Sequence, residues 1–181
     1  MYTRSAQYRI GGSFVSIVCV GSVERMELNR FVNEVRKTFC NIFVQFVAPE
    51  VVYGIEHLLG VLKITMESKR RNILIAKTTE MDFLLRLSCT DQISLALKYA
   101  GIQNRAYGCI VTSSTDKQQL LSVGNYIKSV FPIASQSVLN PTKKKRNLIS
   151  SHIHLSTDKT ILNDDNLFAE YLIERAALII K

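Results

Sequence analysis

The sequence predicts an α/β (α+β) fold: a single domain over residues 1–181, with a mixed β-sheet of about four strands covered by helices. Three observations lead there. Short apolar runs rich in β-branched residues, at 14–20, 42–47 and 107–112, alternate with longer segments whose apolar residues recur every three or four positions. A chain of 181 residues can bury roughly 70% of its unfolded surface, enough for a real core. Its make-up, 47% hydrophobic and 21% charged, is that of a globular protein and not of a disordered one. Strands interleaved with helices then argue for a sheet with helices packed on it.

Taken in order, residues 14–20 form the first strand, broken by Gly21-Ser22. Residues 24–37 are an amphipathic helix with Met26, Leu28, Phe31, Val32 and Val35 toward the core. Residues 42–47 are the second strand. Ala48-Pro49-Glu50 opens a helix, proline standing where its missing N–H costs nothing. That helix runs to about residue 66 through Val52, Ile55, Leu58, Leu59, Leu62 and Met66. Arg70, Arg71 and Asn72 fall in a loop, and Ile73-Leu74-Ile75 is an apolar connector.

Residues 81–102 read as helix, tight polar elbow, helix. Met81, Phe83, Leu84, Leu85 and Leu87 precede the polar break at 88–92, and Ile93, Leu95, Ala96, Leu97 and Ala100 follow it. Ser88 or Thr90 is expected to cap the second helix, and Gly101 to end it in the left-handed conformation. Residues 107–112 are the third strand. Ser113 to Asp116 is a polar turn that caps a helix over 117–128. Residues 134–139 are a candidate fourth strand. Asn140-Pro141-Thr142 starts a helix from 143 to about 152, and 156–165 is a polar loop. The last helix, 166–180, carries Leu167, Phe168, Tyr171, Leu172, Ala176 and Ile179 on one broad face. No internal repeat or low-complexity linker is present.

Several functional classes lack their signatures. No apolar run reaches the ~18 residues needed to span a bilayer, and residues 1–9 lack the order of a signal peptide. Cys19, Cys40, Cys89 and Cys109 are scattered, with no C-x-x-C pair, which suits reduced thiols in a cytoplasmic protein. His57, His152 and His154 are not spaced with any cysteine as metal ligands, so no metal is expected. There is no phosphate-binding glycine loop, no H-E-x-x-H and no G-x-S-x-G. Gly11-Gly12-Ser13 precedes a strand, not a helix. Cys89 is the one tempting nucleophile, beside a helix start and near Arg86, but no histidine neighbours it. The sequence therefore reads as non-catalytic, without cofactor or small-molecule substrate.

The formal charge is +8, unevenly spread. Lys63, Lys69, Arg70, Arg71, Lys77 and Arg86 gather ahead of and within the first elbow helix, and Lys143, Lys144, Lys145 and Arg146 form a second run. From Asn147 on, acidic residues lead. Such asymmetry argues for an anionic partner; the plainer reading is a solvated basic face that keeps the chain soluble.

The elbow also resembles a known family. Leu87-Ser88, Ile93-Ser94, Ala96-Leu97-Lys98 and Gly101-Ile102 are similar to the TPRKB-like kinase-binding subunit of the KEOPS complex, which makes threonylcarbamoyladenosine in tRNA. Archaeal members carry a pattern resembling Glu-(apolar)3-Arg-Ala-Ser-Gly-x-Arg-Gln-Ile. Asp82, Arg86, Ser88, Gln92 and Ile93 hold its places, whereas Cys89 and Asp91 stand where it has glycine and arginine. Thinner similarity runs from Ala48 to Glu174-Arg175-Ala176-Ala177-Leu178.

The resemblance implies a cytoplasmic, non-catalytic subunit that docks on the N-lobe of the small KEOPS kinase and holds the 3′ CCA end of tRNA. The expected RNA contacts are Lys69, Arg70, Arg71, Lys77, Arg86, Ser88 and Gln92, basic groups supplying affinity and polar groups meeting exposed bases. The expected kinase-docking residues are Leu84, Leu172, Ile173, Ala176 and Ile179, an apolar helical face of the kind that lies in a partner's groove. Asp91 places a repelling charge in the RNA site.

Overall fold

The computed structural model describes residues 7–101, 105–155 and 164–179. In chain order its elements are β1 (Gln7–Ile10), β2 (Ser13–Val23), α1 (Arg25–Thr38), β3 (Phe43–Val47), a 3-10 turn (Pro49–Val51), α2 (Gly54–Arg70), α3 (Thr79–Leu87), α4 (Ile93–Tyr99), β4 (Arg105–Ser114), α5 (Lys117–Val130), a 3-10 turn (Gln136–Leu139), α6 (Lys143–His152) and α7 (Asp165–Ala177). The chain packs as two compact units. One comprises Met1–Ala48 with Ile102–Val138, the other Pro49–Gly101 with Leu139–Lys181.

The first unit holds the sheet, in the order β1-β2-β4-β3. The α/β class and the four strands agree with the sequence reading, but every neighbouring pair is antiparallel, where a mixed sheet was expected. The alternation β2-α1-β3 suggests parallel neighbours. The two strands do run the same way, yet β4 lies between them and opposes both.

The fourth strand is β1, not residues 134–139. Gly11 (φ 54°) and Gly12 (φ 88°) form the two-residue, doubly left-handed turn that matches strand twist, pairing Ile10 with Ser13. Beside 134–139 the pairing with β2 is short: Ile133 bridges to Val20, Gly21 N–H donates to the Pro132 carbonyl at 2.9 Å and Ala134 N–H to the Cys19 carbonyl at 2.8 Å, and beyond that Gln136 reaches the Ile17 carbonyl through its side chain at 3.0 Å. Pro132 has no N–H to extend a ladder. The Ser135 hydroxyl accepts from Ser137 N–H at 3.2 Å, a local bond that competes with strand pairing.

One sheet face is covered by α1 and α5. Val18, Val20, Val44, Phe46 and Ile110, alternate residues of their strands, pack against Leu28, Phe31, Val32 and Val35 of α1 and Val123 and Ile127 of α5. Phe31 stacks on Tyr126 at 5.2 Å and meets Phe131 edge-on at 5.3 Å. Met26, expected in this core, is exposed, one residue inside the start of α1. The Phe46 ring lies over Gly108, where any side chain would collide with it.

The second unit is helical. Its start differs from the sequence reading: the proline turn stops at Val51, and Gly54 (φ 88°) redirects the chain before α2 begins. At its other end α2 continues past residue 66 to Arg70, the first of the residues assigned to a loop. Gly60 lets α7 approach, since a Cβ there would lie 2.5 Å from Ile173 Cδ1. Tyr53, Ile149, Ile153, Phe168 and Leu172 form a buried cluster, with Tyr53 and Phe168 edge to face at 4.7 Å.

Three helices of this unit end alike, with a left-handed residue and two backward N–H bonds that satisfy terminal carbonyls. After α2, Asn72 (φ 61°) donates to Lys69 O and Ile73 to Ser68 O; after α3, Cys89 (φ 48°) to Arg86 O and Thr90 to Leu85 O; after α6, His154 (φ 51°) to Ser151 O and Leu155 to Ser150 O. None of the three is the usual glycine. Gly101 is not left-handed; its need for glycine is that a Cβ would press on the Leu97 carbonyl, 2.5 Å away. The expected polar loop at 156–165 lies, up to residue 163, outside the described residues, and Asp164 caps α7 by accepting from Asn166 and Leu167 N–H.

Candidate functional site

The elbow is built from the C-terminus of α3, its left-handed closure at Cys89, and the start of α4. Thr78 starts α3 by accepting from Met81 N–H at 3.2 Å. α4 has no side-chain cap, contrary to expectation. Thr90 Oγ1 instead accepts from Gln92 N–H at 3.2 Å, and Ser88 terminates α3.

Inside the elbow, Arg86 donates from Nε to Asp82 Oδ2 at 2.7 Å and from Nη1 to the Ala176 carbonyl at 2.9 Å and the Ile179 carbonyl at 3.4 Å. Asp82 Oδ1 accepts from Ile75 N–H at 2.7 Å. The guanidinium therefore closes the C-terminus of α7, where orphan carbonyls and the helix dipole favour a cation. Its side chain is 4% exposed. Arg86 is thus not an RNA contact: burial and three oxygen partners leave it no face toward a ligand. Ser88 is withdrawn for the same reason. It is buried, and His152 Nε2–H donates to its carbonyl at 3.0 Å. The His152 ring stacks on Tyr99 with centroids 3.5 Å apart, and burial lowers its pKa.

Burial pushes the Cys89 thiol up to about 11, only partly opposed by Arg175. Arg86, which would have lowered it, is committed to Asp82. An activated thiolate at the elbow is not what this environment favours. Among the described residues no group of three or more His, Cys, Asp or Glu is placed to hold a metal.

The remaining predicted RNA contacts do face solvent. Lys69, Arg70 and Arg71 end α2, Lys77 precedes α3 and Gln92 precedes α4, all exposed. Arg70 and Arg71 converge on one carboxylate. Arg70 donates to Glu67 at 2.8 and 2.6 Å and Arg71 at 2.6 Å, and these bonds hold the Glu67 carboxyl down to about 2. Part of the positive field of this helix end is therefore answered locally. In the second basic run, Lys143 and Lys144 are exposed. Lys145 Nζ donates to the Val52 carbonyl at 3.0 Å. Arg146 bonds Tyr53 Oη at 2.9 Å and pairs with Asp165.

The expected docking face is mostly core. Leu84, Leu172 and Ala176 are buried core residues, at most 2% exposed, because their side of α3 and α7 is the side each helix packs with. Ile173 and Ile179 are half-buried. The apolar surface lies elsewhere, on Ile93, Leu95 and Leu97 of α4, on Leu167 of α7 and on Leu178, which is 77% exposed. Spacing groups Ile93, Leu95 and Leu97 with Ala96 and Ala100 as one apolar set. The buried pair is Ala96 and Ala100, and two alanines at i and i+4 were the available signal that this short helix leans on its neighbour by its small side.

Among the described residues no helix is long and apolar enough to cross a membrane. No family model matches the chain, and no curated protein matches it.

Proposed function

We propose that the chain is a non-catalytic, cytoplasmic KEOPS-type subunit that binds and regulates the small KEOPS kinase and helps recruit tRNA by its 3′ CCA end. The observation that carries this reading is the elbow itself. Its closing residue, Cys89, has φ 48°, a conformation that glycine adopts freely, and glycine is what the resembled pattern has there. The pattern's acidic and arginine places are Asp82 and Arg86, which form the ion pair that holds α3 to the end of α7.

The surfaces available for this role are the exposed cations Lys69, Arg70, Arg71 and Lys77 with Gln92 for RNA, and Ile93, Leu97 and Leu178 for a protein partner. Co-purification from the native cell tests the reading: a kinase and an ATPase-fold partner at fixed ratio support it, and their absence overturns it. The RNA part predicts binding that weakens with salt and falls when the 3′ end is trimmed; equal affinity for trimmed and intact tRNA removes that part.

A second reading, a standalone basic RNA-binding domain, draws on the exposed Lys143 and Lys144 in addition to Lys69 and Lys77. RNA binding with no kinase at fixed ratio would favour it.

A further inference from the structure

Cys19 and Cys109 face each other across the middle of the sheet. They are directly opposed residues in the β2–β4 ladder, flanked by the pairs Val18 with Ile110 and Val20 with Gly108. Their sulfurs are 2.7 Å apart, inside the roughly 3.5–4 Å at which non-bonded heavy atoms rest. Opposed residues of an antiparallel pair have Cα separations of about 4.5–5.5 Å, within the range a disulfide spans. Bonding therefore asks for a small closing of the two sulfurs and no shift in register. Both side chains are buried, and each sulfur lies in contact with the other. Cys40 is exposed and Cys89 half-buried.

We propose that Cys19 and Cys109 are a reversible dithiol–disulfide pair, oxidised by hydrogen peroxide, that staples β2 to β4. One sulfur, as thiolate, attacks a peroxide oxygen; the O–O bond breaks, and the departing hydroxide takes up the thiol's proton to become water. The resulting sulfenic acid is attacked by the second sulfur. The S–S bond forms, the S–O bond breaks, and the second thiol's proton leaves with the hydroxyl as water. Two thiols lose two electrons, and one peroxide becomes two waters. Peroxide is the fitting oxidant because it is small enough to reach buried sulfur, where a bulky disulfide would need the strands to part.

The two cysteines are 90 positions apart, and the loop they close contains α1, β3 and all of Pro49–Gly101. The chain leaves the first unit after Ala48 and returns at Ile102, both inside that loop. Oxidation would restrict the unfolded chain over its longest excursion, the case in which a cross-link stabilises most in the chain-entropy account.

The test treats the folded chain with hydrogen peroxide, quenches it, unfolds it in an alkylating agent and maps peptides by mass spectrometry. The expected product is a linked Cys19–Cys109 peptide that dithiothreitol abolishes, with a thermal midpoint raised by several degrees that returns on reduction. The Cys40→Ser/Cys89→Ser variant should keep both results. Cys19→Ala and Cys109→Ala should each lose them, and the double variant decides the matter if either alanine variant fails to fold. Cys19 and Cys109 remaining fully alkylated, a link that involves Cys40 or Cys89, or an equal midpoint rise in Cys19→Ala would overturn the proposal.

Discussion

Arg86 and Asp82 form a buried ion pair at 2.7 Å, and each spends its remaining hydrogen bonds on backbone belonging to another segment. Asp82 holds Ile75 N–H, and Arg86 holds the carbonyls at the end of α7. Removing one partner leaves an uncompensated buried charge. Arg86→Met is therefore expected to destabilise the chain by about 3–5 kcal/mol in urea unfolding, and Asp82→Leu/Arg86→Met by less than the sum of the single changes. Arg70→Ala, on the surface, should stay within about 0.5 kcal/mol. An Arg86 variant as stable as the parent but defective in RNA binding would reverse these assignments.

The contact between Gly60 and Ile173 sets how closely α2 and α7 pack. Alanine ordinarily improves a helix interior over glycine by up to about 1 kcal/mol. Here its Cβ would lie 2.5 Å from Ile173 Cδ1 and 2.7 Å from Cγ1, so Gly60→Ala should instead cost about 1–3 kcal/mol. Adding Ile173→Ala should recover part of the loss contributed by the collision. A thermodynamic cycle with no coupling between the two sites would show that the helices separate freely.

His57 makes stability depend on pH. Burial, with repulsion from Lys145 added, drives its pKa down to about 4 from 6.5. Its Nδ1 accepts from Tyr53 N–H at 3.2 Å, so the neutral ring is the folded form. Because the folded value lies below the unfolded one, the unfolded chain takes the proton first as pH falls. The contribution is intact above about 6.5 and is lost progressively between 6.5 and 4, amounting to ~3 kcal/mol. His57→Asn should flatten the stability curve in that window; parallel curves for the two proteins would rule the effect out.

Leu172 and Leu178 separate core from surface within one helix end. Leu172 is buried, so Leu172→Ala should cost about 2–5 kcal/mol, and under the proposed docking role a loss of kinase capture on changing it would report unfolding. Leu178→Asp should leave stability within about 0.5 kcal/mol. It is the informative probe: retained kinase capture by the folded Leu178→Asp protein would exclude this residue from docking.

α1 was legible from its apolar periodicity, and α5 and α6 from their caps at Asp116 and Thr142, each to within two residues at each end. Features decided by partners distant in sequence were not. β1 is four residues of alternating exposure, which only its hairpin partner defines. The side of α4 that turns inward depends on its neighbours. Arg86 read as a surface cation because its composition suits one, although Asp82 four residues earlier on the same helix face was a visible hint of pairing. The basic end of α2 reads as a loop because no apolar residue continues the helix past Met66, although Glu67, three and four residues before Arg70 and Arg71, is the spacing at which a helix pairs charges.

The placement of β4 between β2 and β3 has a consequence for biosynthesis. A nascent chain that has emerged through Ala48 already holds the β1–β2 hairpin and β3, yet the free side of β2 and the whole of β3 have nothing to pair with until Arg105 to Ser114 follows, more than fifty residues later. During that interval two apolar edges stand open, the condition in which a chain pairs with the wrong neighbour. The vulnerable period ends only when the middle of the sheet arrives.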